Sequence, residues 1–214
     1  MKLFGYYRSS ASYRIRILLN LKEIDYEYVA VLLNKGEQKH ADFLARNPSG
    51  LVPVLDTGEQ SLGQSLAIAE YLEERFPEPA LLPADPAGRA RVREMLATVA
   101  CDIHPLQNLR VLNYLRQEFS ADDEAVSHWI ERWISNGFTA LEQLVARADN
   151  DGRHCHGDTL SFADAWLVPQ MYNARRFGVD VSGYSNLVSI DAHCRKLPAF
   201  AAAAPERQPD APAG

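Results

Sequence analysis

Cysteine is scarce. The chain has three in 214 residues, at Cys101, Cys155 and Cys194. An odd and widely spaced set suits reduced thiols better than a disulfide framework or a zinc cage. No uninterrupted apolar run approaches the ~18 residues that a membrane span needs. Basic residues are outnumbered, with 22 Lys and Arg against 28 Asp and Glu for a formal net charge of -6. That balance argues against nucleic acid or an anionic membrane surface as the main partner. The opening M-K-L-F-G-Y-Y-R-S-S has no apolar core of the kind a secretory signal carries. These absences predict an acidic cytoplasmic protein. What is present is a 47% hydrophobic chain, enough for one large domain or two small ones.

Residues 1–78 predict an α/β unit. Lys2–Tyr6 is a short strand, and Ala11–Leu21 an amphipathic helix with Ile15, Ile17, Leu18, Leu19 and Leu21 apolar. Tyr26–Val31 alternates and is aromatic and β-branched, which favours a strand. After the polar L-N-K-G-E-Q-K-H and a helical turn A-D-F-L-A-R, N-P-S-G signals a turn. L-V-P-V-L-D then predicts a strand with Pro53 at its first residue or on an edge, because proline cannot donate to a ladder. A hairpin at Thr57-Gly58 leads to the helix Q-S-L-A-I-A-E-Y-L-E-E-R-F, with Ser65 expected as its N-cap.

F-P-E-P-A-L-L-P-A-D-P-A holds four prolines in twelve residues, so a linker is expected over 79–87. An all-helical domain is expected over 88–205. Its helices are Arg89–Phe119, kinked at Pro105, then Asp123–Ala148, and a third opened by Ser161 and Asp164 at capping-box spacing. Residues 206–214 are expected to be a flexible tail.

Three serines and an arginine, R-S-S-A-S, stand directly before the first helix. Each serine alone reads as a helix cap. Together at a helix N-terminus, where unpaired N–H groups carry about half a positive charge, they also suit an anion. A thiol held there would ionise more readily. The stretch has no cysteine, so a thiol would have to come from a ligand. Gln64-Ser65 opens the next amphipathic helix and suits a carboxylate in the same way. Two such N-termini flanking a proline-bearing strand point to an extended peptide-like ligand with a thiol and carboxylates.

R-S-S-A-S-Y-R-I-R-I-L-L-N-L-K, N-P-S-G-L-V-P-V-L and Q-S-L-A-I-A-E-Y-L-E-E-R-F-P resemble the zeta class of glutathione transferases, which includes the maleylacetoacetate and maleylpyruvate isomerases. L-L-P-A-D, C-D-I-H-P-L-Q-N-L-R, F-A-D-A-W-L-V-P-Q and N-A-R-R-F-G-V-D extend the likeness over nearly the whole chain. It implies a thioredoxin-like domain followed by an all-helical one, usually in a homodimer, with glutathione as cofactor. Ser9 and Ser10 would then meet the glutathione sulfur, Ser9 foremost. Gln38 would reach the tripeptide, Val52 would pair with it by its backbone ahead of a cis Pro53, and Gln64 and Ser65 would hold the γ-glutamyl carboxylate. Many zeta members have S-S-C-S where this chain has Ser9-Ser10-Ala11-Ser12. That departure weakens any redox role more than isomerisation.

The activity implied is cis–trans isomerisation of a small dicarboxylate by thiolate addition, bond rotation and elimination. Arg8, Arg110 and Arg176 match substrate-binding arginines of the maleylpyruvate branch, and guanidinium forks suit both carboxylates and enolate charge. Asp102, His104 and Asn108 would contact glutathione or substrate, although His104 equally fits a structural histidine. General glutathione transfer, α-haloacid dehalogenation and non-catalytic glutathione binding are the other readings. Arg14 and Arg16 are expected in structural ion pairs, and Arg175 in solvent. Trp129, Trp133 and Trp166 are expected in the core or an interface. His154 and His156 around Cys155 lack a fourth ligand at sensible spacing, so no metal is expected.

Overall fold

At the N-terminus lies β1, Lys2–Gly5, along which burial alternates and Leu3 is wholly buried. Glu27–Ala30 forms β2, parallel to it, and Val54–Asp56 forms β3, antiparallel on its other side. Ser61–Gly63 is β4, the second arm of the hairpin, giving the order β2-β1-β3-β4. Between β1 and β2 runs α1, Ser10–Leu21, whose Ile15, Ile17, Leu18 and Leu19 are buried. A short α2, Ala41–Leu44, places Phe43 against Val31 and Val54. The hairpin is followed by α3, Ser65–Arg75. This computed structural model describes residues 1–148 and 150–212.

By packing, the chain divides into Met1–Leu81 joined by the segment from Arg195 onward, and Leu82–Cys194. The first unit is the mixed sheet with its helices. Pro53 does not lie in the ladder: it follows Val52 through a cis peptide bond, and pairing begins at Val54. Lys22 Nζ, buried at the end of α1, meets Glu73 Oε2 at 2.8 Å and the carbonyls of Phe76 and Pro79 at 2.7 and 2.9 Å. That cluster ties down the start of the proline-rich segment, whose remainder is not an open linker. Asp85 caps a helix that already begins at Pro86, because proline's fixed φ and missing N–H suit a first helical turn.

The second unit is mainly helical. Its elements are α4, Pro86–Ala97, a π-helical turn at Thr98–Ile103, a 3-10 turn at His104–Gln107, and α5, Leu109–Glu118. The expected single kinked helix over Arg89–Phe119 is therefore four pieces: Pro105 cannot donate to the preceding turn, so the chain tightens and restarts at Asn108. Then come α6, Asp123–Arg147, α7, Phe162–Arg176, and α8, Ser185–Cys194. Gly137 lets α6 approach the π-helical turn: a Cβ there would stand 2.1 Å from Ile103. Trp166 is wholly buried, and Trp129 and Trp133 pair edge to face at 5.6 Å.

The C-terminal expectation needs the largest correction. Residues 195–212 pack with the sheet unit, and they form α9, Pro198–Ala203, and a 3-10 turn at Pro205–Arg207. Phe200 and Ala203 are fully buried, and Asn20 Nδ2 and Arg16 Nε donate to the carbonyls of Ala199 and Ala203, each at 2.9 Å. An alanine- and proline-rich run offers little apolar patterning of its own; donors from α1 hold its backbone instead. Ala213 and Gly214 of the expected tail lie outside the described residues.

Candidate functional site

Ser9 is the N-cap of α1, in extended conformation, and its Oγ accepts from the Ser12 N–H at 3.2 Å. That bond leaves the hydroxyl hydrogen available to an anion. Ser9 is half-buried, whereas Ser10 is buried. The first turn of α1 holds no acidic side chain, so nothing there offsets the positive field of the helix end. Arg8, just before it, is exposed, with its guanidinium carbon 5.6 Å from the centre of the Tyr7 ring.

At α3 the expected cap moves back by one. Gln64 is the N-cap, with φ of 65°, and its side chain makes no capping bond. A glutamine in the left-handed region is costly backbone that the surroundings must impose. Ser65 is the first helical residue. It is buried, and its Oγ accepts from Arg14 Nη1 at 3.3 Å. Here too the hydroxyl hydrogen is not used by that bond. Arg14 is itself buried to 1% exposure, so a guanidinium stands directly behind the serine. The expectation of a structural ion pair missed this contact; an arginine inside an apolar helix pattern was its only signal.

Between these helix ends lies Val52, half-buried and outside the sheet register. The turn before it is pinned by Asn47, whose Nδ2 donates to the Leu51 carbonyl at 2.7 Å and whose Oδ1 accepts from Ser49 N–H at 3.1 Å. Gln38 sits in a 3-10 turn, and its Oε1 is buried without a hydrogen-bond partner among the described residues. A buried acceptor left unpaired is costly and calls for a donor from outside the protein. Serine donors at two helix ends, an unladdered backbone and this orphaned acceptor fit a peptide thiol with carboxylates.

In the second unit the candidates have different surroundings. Asp102 is exposed in the π-helical turn, a geometry common at functional sites. His104 opens the 3-10 turn and is half-buried. Asn108 caps α5: its Oδ1 accepts from the Arg110 N–H at 3.1 Å, and Arg110 is exposed. Arg176 donates from Nε and Nη2 to Asn173 Oδ1 at 3.3 and 2.8 Å, and lies 4.0 Å over the Phe177 ring. Asn173 in turn donates to Gln107 Oε1 at 2.6 Å. Neither Asn173 nor Gln107 was singled out from sequence, although Asn173 stands three residues before Arg176, one helical turn away.

Two other arginines make contacts that the sequence did not suggest. Arg175 is exposed, and its Nη2 also meets the fully buried Asp191 carboxylate at 2.7 Å. Arg16 donates to the carbonyls of Ala203 and Tyr7, and among the described residues no carboxylate accepts from it. The His154–Cys155–His156 loop serves the start of α7: Cys155 N–H donates to Asp164 Oδ1 at 2.8 Å, and Ser161 N–H and Oγ donate to Oδ2 at 2.8 and 2.9 Å. Burial, then the Asp164 carboxylate, pushes the Cys155 thiol well up.

Residues 3–80 match the family model described as Glutathione S-transferase, N-terminal domain. A curated maleylpyruvate isomerase from Ralstonia sp is 53% identical over 98% of this chain and 99% of its own. The fold superimposes with TM-score 0.97 on a holo structure of a maleyl pyruvate isomerase, described as a bacterial zeta-class glutathione S-transferase. That protein is 53% identical, and 99% and 100% of the two chains are covered. A maleylacetoacetate isomerase from Methylobacterium extorquens AM1, solved with malonate and glutathione bound, is 41% identical over the whole of both chains with TM-score 0.95. This chain belongs to the zeta-class glutathione S-transferase family, the family of the maleylpyruvate and maleylacetoacetate isomerases.

Proposed function

We propose that this protein is a glutathione-dependent cis–trans isomerase of maleylpyruvate or maleylacetoacetate. The observation that carries the reading is the pair of anion-ready helix ends in the sheet unit: the Ser9 cap of α1, and Ser65 backed by Arg14 at α3. Bound glutathione supplies a thiolate that adds to the substrate's cis double bond, lets it rotate as a single bond, and is expelled to leave the trans product. The Ser9 hydroxyl and the first N–H groups of α1 hold that sulfur in its ionised form, with Ser10 beside them. Gln64 and Ser65 bind the γ-glutamyl carboxylate, Gln38 reaches the tripeptide, and the Val52 backbone before Pro53 pairs with its cysteinyl unit.

Arg8, Arg110 and Arg176 bind the carboxylates of the dicarboxylate substrate, and their charge steadies the enolate as it forms. Asn108 orders the start of α5 beside Arg110. Asp102 and His104 contact glutathione. We further propose a cytoplasmic homodimer; no helix among the described residues is long and apolar enough to cross a membrane. The deciding experiment incubates the purified protein with maleylpyruvate and, separately, maleylacetoacetate, with and without glutathione, and identifies the products. Glutathione-dependent formation of a trans product is expected, and the faster substrate names the pathway. Glutathione binding without turnover of either would overturn the isomerase.

A further inference from the structure

The loop that carries Arg8 and Ser9 is held from an unexpected direction. The Tyr7 N–H donates to Asp210 Oδ2 at 2.9 Å, across 203 residues of sequence. The Tyr7 carbonyl accepts from Arg16 Nη2, also at 2.9 Å. Arg16 is wholly buried, and its Nε donates to the Ala203 carbonyl. Both polar groups of one residue are thus fixed by the C-terminal segment, directly or through Arg16. Only Arg8 separates Tyr7 from Ser9, and the Ser9 N–H closes a turn onto the Tyr6 carbonyl at 3.0 Å. A rotation of either peptide at Tyr7 therefore moves the Ser9 hydroxyl. The Asp210 carboxylate also faces the buried tyrosine hydroxyl of Tyr28, which burial and then that carboxylate push well up.

We propose that Asp210 is a positioning residue for Ser9, making the C-terminal segment part of the machinery that holds the glutathione thiolate. The inference rests on the isomerase reading. Anchoring of the segment itself falls to other groups. Phe200 and Ala203 are buried, Asn20 holds Ala199, and Gln208 Nε2 donates to the carbonyls of Ala202 and Ala204 at 3.0 and 2.9 Å. Removing the Asp210 carboxylate should therefore free the loop without releasing α9.

The test compares full-length Asp210→Ala, Asp210→Asn and Gln208→Ala with wild type. Ultraviolet absorbance of the bound thiolate is titrated against pH, and kcat, KM and Tm are measured beside it. Asp210→Ala should ionise bound glutathione about one pH unit higher, leaving about tenfold less thiolate on the acid side of the transition. Its kcat should fall about tenfold there, with the dicarboxylate KM unchanged. Asp210→Asn keeps an oxygen acceptor for Tyr7 and should recover most of the loss. Gln208→Ala should lower Tm and leave the titration where it was. An unmoved titration in Asp210→Ala, or an equal shift in Gln208→Ala, overturns the inference. Wild-type protein that binds no glutathione overturns the functional reading, and the positioning role with it. Amide hydrogen exchange at residues 6–9, run without glutathione, tells the two failures apart: faster exchange in Asp210→Ala then leaves a clamp that is only structural.

Discussion

Two kinds of helix N-terminus coexist in this chain. Those of α4, α6 and α7 are closed by the protein's own carboxylates. Asp85 accepts from Gly88 N–H at 2.8 Å, Asp122 accepts from Ala125 N–H at 2.8 Å, and the fully buried Asp164 accepts from three donors. Those of α1 and α3 carry no acid in the first turn. A carboxylate at a helix start satisfies N–H groups and offsets the dipole, so it stabilises the fold. Leaving it out forgoes that stability and keeps the end open to an anion from elsewhere. The helix ends of the sheet unit that hold the proposed glutathione residues are the ones left open. In the second unit, α5 starts with the neutral cap Asn108 and with Arg110 in its first turn, which belongs to the open kind.

The closed ends should respond to substitution in stability, and the open ones in activity. The largest effect is expected from Asp164→Ala, which strands three donors in the core. An unsatisfied buried group costs about 1–3 kcal/mol, so a loss of about 3 kcal/mol or more is expected in denaturant unfolding. A loss below about 1 kcal/mol would mean that water replaces the carboxylate, and that α7 is not closed in the sense argued. Ser9→Ala removes a cap and a thiolate donor at once. Its kcat/KM should fall about 10²-fold, equivalent to about 2.7 kcal/mol of transition-state stabilisation, while unfolding free energy changes by only about 1 kcal/mol. If activity falls much less, the backbone N–H groups of α1 carry the thiolate without the hydroxyl. Asn173→Ala removes the amide oxygen that orients the Arg176 fork without removing its charge. The dicarboxylate KM should rise about tenfold, with kcat nearly unchanged, as for uniform binding lost; an effect on glutathione affinity instead would remove Arg176 from substrate binding.

How far the sequence told these ends apart depended on locality. The Ser161–Asp164 box was legible because donor and acceptor lie one turn apart, and Asp164 makes both of its bonds to Ser161 despite its short side chain. The mixed sheet and α1 were legible from alternation and apolar periodicity. Ser65 was misplaced by one residue, because a left-handed Gln64 cannot be inferred from a residue type that rarely adopts it. Arg14 behind Ser65, Arg16 and Asp210 around Tyr7, and Gln107 behind Asn173 were not legible. Each joins residues far apart in the chain, and nothing in local composition marks the partner. The proline-rich linker misled in the same direction: Pro86 starts a helix, while the composition around it suggested only a break.

The smallest expected effect is the most direct test of the contrast, because it converts an open end into a closed one. Ala67 lies exposed in the first turn of α3, three residues after the Gln64 cap. Ala67→Glu would give this end the acid that Asp123 and Glu124 give α6. A carboxylate there should stabilise the helix by about 0.3–1 kcal/mol, raising Tm by about 1–4 °C. The same charge should weaken glutathione binding by roughly two- to fivefold, since it competes with the γ-glutamyl carboxylate for one field. Both changes should shrink at high salt, and Ala67→Gln, of equal size and no charge, should show neither. A rise in Tm with glutathione affinity intact would mean that the α3 end is open for a reason other than the γ-glutamyl group. A fall in affinity without any gain in stability would mean that Gln64 and Arg14 already satisfy the helix end, and that its attraction for anions comes from the guanidinium behind Ser65.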